Sequence, residues 1–538
     1  MTTKRASLLC GVGAGAVGLA GAVHYWRAGL ALAHYDARAH LVVARRVLDS
    51  LTPGWQQVGA VWLPLPHLLN LLPIQNDALY RSGASAIAIS VLSMAVAAAA
   101  AAHLIHRATG SLSGGAATAA LLMLNPDVLY LQSTPMTEPL LFGTTFLAVA
   151  SIAAWCCPPS LAGVSSGETS TGSTKAAGWA IVAATLSRYE AWPIVAAAIA
   201  LAFVVLVRRG IPVAAALRAV RGLAWWPLWT VAAFLVNSKV TVGAWFVSSG
   251  FFVPDNPALW HPWLAWTELW NGLVELTGSF LPWAAAASAI GVAIFALQRR
   301  APRWAAATER QRSALLFVLA LAACAALPWS AYVKGHPVRI RYDVPLVAAA
   351  AILTGAGVAL LPNRIRPAVA VVAVTIAVWQ APPFQANAPV VVESQREAAF
   401  QRGREAVTTY LRAHWDGQPI MMSMGSLAHY MHDLSADGFA IADFLHEGNG
   451  EIWIHAVRHP SPYVDWIAIQ EPPEGGDALF WQAHHDDNFL SGFERVAAGG
   501  NVALYRKRKD AKEGEGAKEH AASAPSPSFA SFRTGDPR

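Results

Sequence analysis

The chain has 538 residues, of which 55% are hydrophobic and only 13% are charged, and it contains 22 tryptophans. Together with a mean hydropathy of +0.39, this composition excludes a soluble globular protein and indicates several membrane spans. The net charge of +6 does not indicate nucleic-acid binding, because the basic residues form short clusters between apolar runs, as they do in loops that set membrane orientation.

The first predicted element is an apolar helix over residues 6–25, which is long enough to cross a membrane. A cleaved signal peptide is the alternative, because Lys4 and Arg5 precede the helix and the small residues of Ala31-Leu32-Ala33 follow it. The apolar run is long for a signal peptide, so we predict a transmembrane helix.

Residues 35–72 come next and contain two predicted short helices. Apolar residues recur at helical spacing in the first of them: Leu41, Ala44, Leu48 and Leu51. This pattern predicts an amphipathic helix that lies along the membrane surface. After a turn at Thr52-Pro53-Gly54, Pro64 and Pro66 begin a second short segment, which includes His67. Two such helices are expected to wall a cavity at the boundary between lipid and water.

Ten further apolar runs predict membrane spans at 83–104, 116–131, 139–156, 176–187, 191–207, 222–240, 279–297, 313–332, 344–361 and 367–384. With the first span they make about eleven transmembrane helices. Composition then changes after Phe384, and β-type patterns occur near 419–423, 465–470 and 502–506. We therefore predict a transmembrane domain at 1–384, a soluble α/β domain at 385–507 and a disordered tail at 508–538.

Charge predicts the orientation of the spans. Lys and Arg cluster on one side of the alternation, at 208–221, 298–312 and 363–366, and that side is predicted to be cytoplasmic. The other side holds the polar loops at 35–72, 125–138, 187–190 and 334–343 and the C-terminal domain. Ionisable groups near membrane depth are costly and tend to be functional. An extracytoplasmic active site in the cell membrane is therefore expected.

Several of these loops carry short motifs that resemble the protein O-mannosyltransferase and aminoarabinose transferase branch of the GT-C glycosyltransferases. The motifs are Asp36 beyond the first span, the helices with Pro64 and Pro66, Met136-Thr137-Glu138-Pro139, Ser187-Arg188-Tyr189-Glu190 and Arg341-Tyr342-Asp343-Val344-Pro345. The resemblance covers residues 1–384. It implies a polytopic α-helical, GT-C-like membrane enzyme that transfers a sugar from a polyprenyl-phosphate donor to a protein or glycan acceptor outside the cytoplasm. Mannose, aminoarabinose and other sugars remain open.

Two carboxylates are the candidate catalytic residues. An acceptor hydroxyl that attacks an anomeric carbon needs a base within hydrogen-bond reach, and Asp36 is the candidate. The alternative is that Asp36 caps a helix starting at Ala37, and one residue can do both. Glu138 begins a span, where an acid is favoured by the helix N-terminus. The resemblance implies instead that Glu138 orients the acceptor or supports the base.

Basic residues are the candidate contacts to the leaving polyprenyl phosphate, whose developing charge needs fixed cationic donors. Arg341 offers a planar fork suited to phosphate oxygens, with Tyr342 beside it and Lys334 nearby. Binding to lipid head groups is the alternative role. Arg188 and Glu190 either point into the cavity or pair with each other. Together with His67, these residues form the predicted substrate-binding set.

No cofactor is predicted. The extracytoplasmic loops near the candidate site contain no Asp-x-Asp motif, and this departure from metal-using GT-C relatives implies a metal-independent transfer. Two other classes of protein remain possible from the sequence. A transporter or flippase of lipid-linked substrates would show internal repeats or charges at mid-bilayer. A non-catalytic scaffold would present the C-terminal domain and would tolerate the loss of Asp36.

Overall fold

The structure, a computed structural model, describes residues 2–158, 174–247, 256–298, 309–396, 398–471 and 476–508. The chain divides into two compact units. The helical unit comprises Met1–Ala31, Ile87–Phe234 and Ser248–Val392, and the sheet unit comprises Leu32–Ala86, Leu235–Val247 and Glu393–Arg538. The domain bounds predicted from composition stay a prediction, and the predicted disordered tail lies outside the described residues beyond Arg508.

Within the described ranges the α-helices, in chain order, are α1 (Thr3–Arg27), α2 (Tyr35–Arg45), α3 (Leu65–Asn70), α4 (Asp77–Ser82), α5 (Ala84–Thr109), α6 (Leu112–Met123), α7 (Pro126–Leu131), α8 (Glu138–Cys156), α9 (Thr174–Thr185), α10 (Ala191–Arg208), α11 (Val213–Val242), α12 (Pro262–Thr277), α13 (Phe280–Leu297), α14 (Glu309–Ala314), α15 (Ala326–Val333), α16 (Val344–Leu360), α17 (Arg366–Gln380), α18 (Pro389–Ser394), α19 (Ala398–Gly403), α20 (Glu405–His414), α21 (Met424–Leu434), α22 (Glu451–Arg458) and α23 (Ala478–His485). Short 3-10 segments occur at Trp55–Val58, Pro73–Gln75, Leu315–Ala325, Ile340–Asp343, Ser435–Asp437, Ile441–Asp443 and Glu447–Asn449.

Eight helical stretches among the described residues are long and apolar enough to cross a membrane: Thr3–Arg27, Ala84–Thr109, Glu138–Cys156, Ala191–Arg208, Val213–Val242, Phe280–Leu297, Arg312–Val333 and Ile340–Leu360. The other three predicted spans correspond to α6, α9 and α17, which have 12, 12 and 15 residues. These are short for a full crossing, which needs about 20 residues. The expected polytopic helical architecture is confirmed.

The span predicted at 116–131 is wrong as a continuous helix. Helix α6 ends at Met123, and α7 begins at Pro126. The side chain of Asn125 accepts hydrogen bonds from the backbone N–H groups of Asp127 and Val128, which caps α7. Pro126 occupies the first position of the new helix, where a missing N–H costs nothing. Local capping chemistry at Asn125 and Pro126 therefore divides a largely apolar segment.

Small residues let α6 and α16 pack closely in the helical unit. A Cβ atom added at Gly114 of α6 would lie 2.7 Å from the carbonyl oxygen of Gly355 on α16. This distance is too short for a side chain. Close crossings at small residues are a common way for helices to associate in membranes, because the backbones can approach each other. Helix α16 follows directly after the segment that contains Arg341. The packing of α6 on α16 therefore holds the helix to which that segment is attached.

The sheet unit contains five strands: β1 (Ile420–Met422), β2 (Phe444–Leu445), β3 (Trp466–Gln470), β4 (Phe493–Gly499) and β5 (Val502–Lys507). Their order across the sheet is β2-β1-β3-β5-β4. The pairs β1–β2 and β1–β3 are parallel, whereas β5 pairs antiparallel with both β3 and β4. The predicted C-terminal α/β domain is confirmed. Strand β2 has two residues, too few for an alternating pattern to be visible.

Two hydrophobic cores cover the two faces of this sheet. Ile420 and Trp466 belong to one core, and Met421 and Ile467 belong to the other. Neighbouring residues of a strand point to opposite faces, so β1 and β3 are buried on both sides. Helix α2 packs into the first core through residues that include Leu41 and Val42. A segment next to the first predicted span is therefore part of the C-terminal core.

The amphipathic helix predicted across Leu48 and Leu51 is shorter than expected, since α2 ends at Arg45. Leu48 and Leu51 lie beyond the helix and are exposed. The chain turns at Arg46, whose guanidinium contacts the backbone oxygen of Gln57 and the sulfur of Met424. The helix therefore ends at a point that the apolar spacing does not indicate.

Candidate active site

A cluster of ion pairs in the helical unit joins three of the predicted site residues. Glu138 is the first residue of α8, while Arg188 and Glu190 lie in the turn between α9 and α10. Nη1 of Arg188 lies 3.0 Å from Oε1 of Glu138, and Nη2 lies 2.7 Å from Oε1 of Glu190. Nη1 also donates to Oγ1 of Thr137 at 2.8 Å. One guanidinium therefore holds the beginnings of two helices together.

The carboxylates of this cluster are buried and therefore need a positive charge close to them. Glu138 is fully buried and Glu190 is 4% exposed, so both carboxylates depend on a nearby counter-charge. Burial alone would lower the pKa of Arg188, but the charges of Glu138 and Glu190 raise it above the ordinary arginine value. Arg341 also lies within electrostatic range of Arg188. Four of the predicted residues thus share one electrostatic environment.

Arg341 and Tyr342 lie in the 3-10 segment Ile340–Asp343, which leads directly into α16. Arg341 is 6% exposed, and its guanidinium carbon lies 5.1 Å from the centre of the Tyr342 ring. A cation at this distance from an aromatic face is attracted by the ring. Lys334, which follows α15, is exposed. Arg341 is therefore oriented by its surroundings, whereas Lys334 is a surface cation.

Asp36 lies in the sheet unit, as the second residue of α2, and is 7% exposed. The backbone N–H of Asp36 donates a hydrogen bond to Nδ1 of His34 at 3.1 Å. The helix therefore begins at Tyr35 with His34 as its cap, and the alternative that Asp36 caps a helix starting at Ala37 is wrong. An acid in the first turn is still favoured by the helix N-terminus. The carboxylate of Asp36 is not needed as the cap.

His67 lies on α3 and is buried against a second histidine of the sheet unit. Nε2 of His67 lies 3.1 Å from Nδ1 of His40, and the Trp62 ring lies 4.1 Å from the His40 ring, centre to centre. Burial, together with the charge of Arg46, lowers the pKa of His67 to about 3. His67 is therefore a neutral imidazole at physiological pH, with one ring nitrogen committed to His40.

The predicted site residues thus fall into two groups. Glu138, Arg188, Glu190, Arg341, Tyr342 and Lys334 belong to the helical unit, while Asp36 and His67 belong to the sheet unit.

Asp433 of the C-terminal chain was not predicted from the sequence as a site residue. Its carboxylate forms an ion pair with Arg38 at 2.6 Å. The spacing of His429 and Asp433, four residues apart in an apolar context, is the signal that could have pointed to a helix face with polar contacts.

No group of three or more His, Cys, Asp or Glu side chains is arranged to hold a metal ion in the described ranges. The expectation of a metal-independent reaction stays a prediction. The positive charge near the candidate site comes from the guanidinium groups of Arg188 and Arg341.

Comparison with known proteins gives a structural match. No family model matches the chain, and no curated protein matches it. Among solved structures, the chain is similar to the crystal structure of ArnT from Cupriavidus metallidurans bound to undecaprenyl phosphate, with a TM-score of 0.54 and 13% sequence identity. The match covers 91% of this chain and 97% of that chain. The chain therefore has a polytopic helical fold similar to that of this ArnT structure, with a C-terminal sheet domain.

Proposed function

We propose that this chain is an integral-membrane glycosyltransferase that transfers a sugar from a polyprenyl-phosphate donor to a protein or glycan acceptor on the extracytoplasmic side. The observation that carries the proposal is the fold, which matches that of ArnT bound to undecaprenyl phosphate over nearly the whole chain. Because a fold alone does not define an activity, the proposal also depends on the chemistry of the candidate residues.

In the proposed reaction, the acceptor hydroxyl attacks the anomeric carbon of the donor sugar, and the Asp36 carboxylate takes the hydroxyl proton. The bond between the anomeric carbon and the phosphate oxygen breaks, and polyprenyl phosphate leaves with the bonding electrons. Arg341 would stabilise the charge that develops on the phosphate. Glu138 acts as the supporting acid, held by Arg188 together with Glu190.

The remaining candidates would contact the substrate. Tyr342 packs on the guanidinium of Arg341 and would keep it aimed at the phosphate, while Lys334 adds a second cation at the surface. His67 carries no charge near neutral pH, so its proposed role is a hydrogen bond to a sugar or acceptor hydroxyl. A mannose-like sugar is the proposed donor sugar, and aminoarabinose is the second candidate.

The test uses purified protein in detergent with radiolabelled polyprenyl-phosphate mannose, aminoarabinose and other sugars, together with pools of protein and glycan acceptors. Transfer of label from one donor to an acceptor would support the proposal. If no donor is turned over, the same donors should be followed across vesicles that contain the protein. Movement of intact donor across the bilayer would then show that the protein is a flippase and not a glycosyltransferase.

A chelator should leave turnover unchanged. The proposed stabilisation of the leaving phosphate comes from arginine side chains, so a divalent ion has no assigned role in the transfer. The measurement compares initial rates with and without EDTA, followed by addition of excess Mg²⁺ or Mn²⁺. Loss of activity in EDTA and recovery with either ion would contradict the metal-independent reaction.

Replacing Arg341 with methionine should lower kcat/KM for the donor by about tenfold to a hundredfold, because Arg341 is proposed to stabilise the charge that develops on the phosphate. A hydrogen bond to a charged group contributes about 1.5–3 kcal/mol, and 1.4 kcal/mol corresponds to a factor of ten. The control is Arg364→Met, which removes an exposed arginine after α16. Equal kcat/KM values in both variants would show that Arg341 does not contact the donor phosphate.

A further inference from the structure

The residues on either side of Asp36 contact a single helix of the C-terminal chain, α21. The Tyr35 ring lies edge-on to the ring of His429, with 6.3 Å between centres. Nη1 of Arg38 donates to both carboxylate oxygens of Asp433, at 2.6 and 2.7 Å. His429 and Asp433 are four residues apart, so they lie on the same face of α21. The segment that carries Asp36 is thus held at two points by one helix face.

The contact between Arg38 and Asp433 is strong by geometry and by burial. Arg38 is 2% exposed, so its charge depends on the partner carboxylate. Burial alone would raise the pKa of Asp433, but His432 and Arg38 lower it below its usual value. Nη2 of Arg38 also lies 3.5 Å from the backbone oxygen of Ala33, in the loop before α2. Arg38 therefore ties both the helix and the preceding loop to α21.

Helix α21 is itself anchored within the sheet unit. Leu427, Met431 and Leu434 are fully buried in the core that also contains Ile420 of β1. On the polar face, Nη1 of Arg404 donates to Nε2 of His429 at 2.7 Å. A functional group is held more precisely when its neighbours rest on a packed element than when they rest on a loop.

We infer that Asp433 is a positioning residue, which acts through Arg38 to fix the segment that carries the Asp36 carboxylate. The C-terminal domain would then be part of the catalytic machinery rather than an appended module. This inference rests on the proposed role of Asp36 as the base. A small displacement of a catalytic group can lower the rate by about a hundredfold, even when every reacting group is present.

The first experiment replaces Asp433 with asparagine in the full-length protein and measures kcat and the donor KM separately. We expect kcat to fall by about ten- to a hundredfold with little change in KM. Asp433→Glu, which keeps the charge, should recover part of the loss. Because Asp433 acts through Asp36, adding Asp433→Asn to an Asp36→Asn variant should cause no further loss. Fully additive losses would overturn the inference.

Hydrogen exchange gives a readout that does not depend on activity. Asp433→Asn removes the counter-charge of buried Arg38 and should lower the melting temperature, but it should increase exchange of the backbone amides at 36–38 more than exchange of the β1 and β3 amides. The matched control is Asp437→Asn, because Asp437 also accepts from an arginine, Arg412, at 3.0 Å, in an exposed pair. Unchanged exchange at 36–38 in the Asp433 variant would reject the positioning role. Increased exchange combined with a fully active Asp36→Asn variant would reject the proposed base and retain the structural coupling.

Discussion

Replacing Asp36 with asparagine is expected to lower turnover by about 10²- to 10⁴-fold, the range that a positioned general base contributes. Asparagine has nearly the same shape but cannot accept the acceptor's proton. Because His34, not Asp36, caps α2, the substitution leaves the helix start intact. The loss should therefore appear in the single-turnover rate at saturating donor, with donor binding and melting temperature close to wild type.

The control for this prediction is Asp77→Asn. Asp77 lies in the same unit, in the first turn of α4, and its side chain is 61% exposed. Its replacement should leave the rate unchanged. If Asp36→Asn retains full activity with an identified donor, another residue must be the base. If the wild type turns over no donor, that result supports the scaffold hypothesis.

Replacing Arg188 with methionine is expected to destabilise the helical unit by about 3–5 kcal/mol, the usual effect of removing one partner of a buried ion pair. Glu138 and Glu190 would remain buried without the guanidinium that lies 3.0 and 2.7 Å from them. Thr137 would also lose the donor to its hydroxyl. The expected result is a lower melting temperature in detergent and a lower yield of folded protein.

Two further variants test whether the loss of stability in Arg188→Met comes from the uncompensated carboxylates or from other effects of the substitution. Combining Arg188→Met with Glu138→Gln and Glu190→Gln removes the uncompensated carboxylates, so much of the lost stability should return. Arg412→Met breaks an exposed ion pair with Asp437, which should cost about 0–1 kcal/mol. A triple variant as unstable as Arg188→Met alone would show that the buried charge is not the cause.

Many of the spans could be predicted from the amino-acid sequence because a helix that crosses a membrane is a local property. Roughly 20 consecutive apolar residues are sufficient to indicate it, whatever the rest of the chain does. Helices α1, α8 and α10 accordingly begin and end within a few residues of the predicted bounds. Strands β1, β3 and β5 were also within reach, since their patterns are local too.

Predictions were weaker where capping or tertiary contacts end an element. Asn125 and Pro126 divide a largely apolar segment into two helices, and α2 ends at Arg45 although apolar spacing would continue it to Leu51. At Asn125 two specific hydrogen bonds outweigh the average hydrophobicity of the segment. Average patterns do not contain that information.

The sequence by itself determined a polytopic membrane protein, its C-terminal α/β domain, and most of the polar residues proposed here for the site. Only the tertiary structure decided which of those residues meet. Arg188 reaches Glu138 across 50 residues, and Arg38 meets Asp433 across 395 residues of chain. Such pairings depend on how packed helices bring distant side chains together, and no local spacing encodes them. The physical reason is that a buried charge needs a counter-charge within a few ångströms. Which residue supplies the counter-charge depends on the side chains that the fold brings close to it.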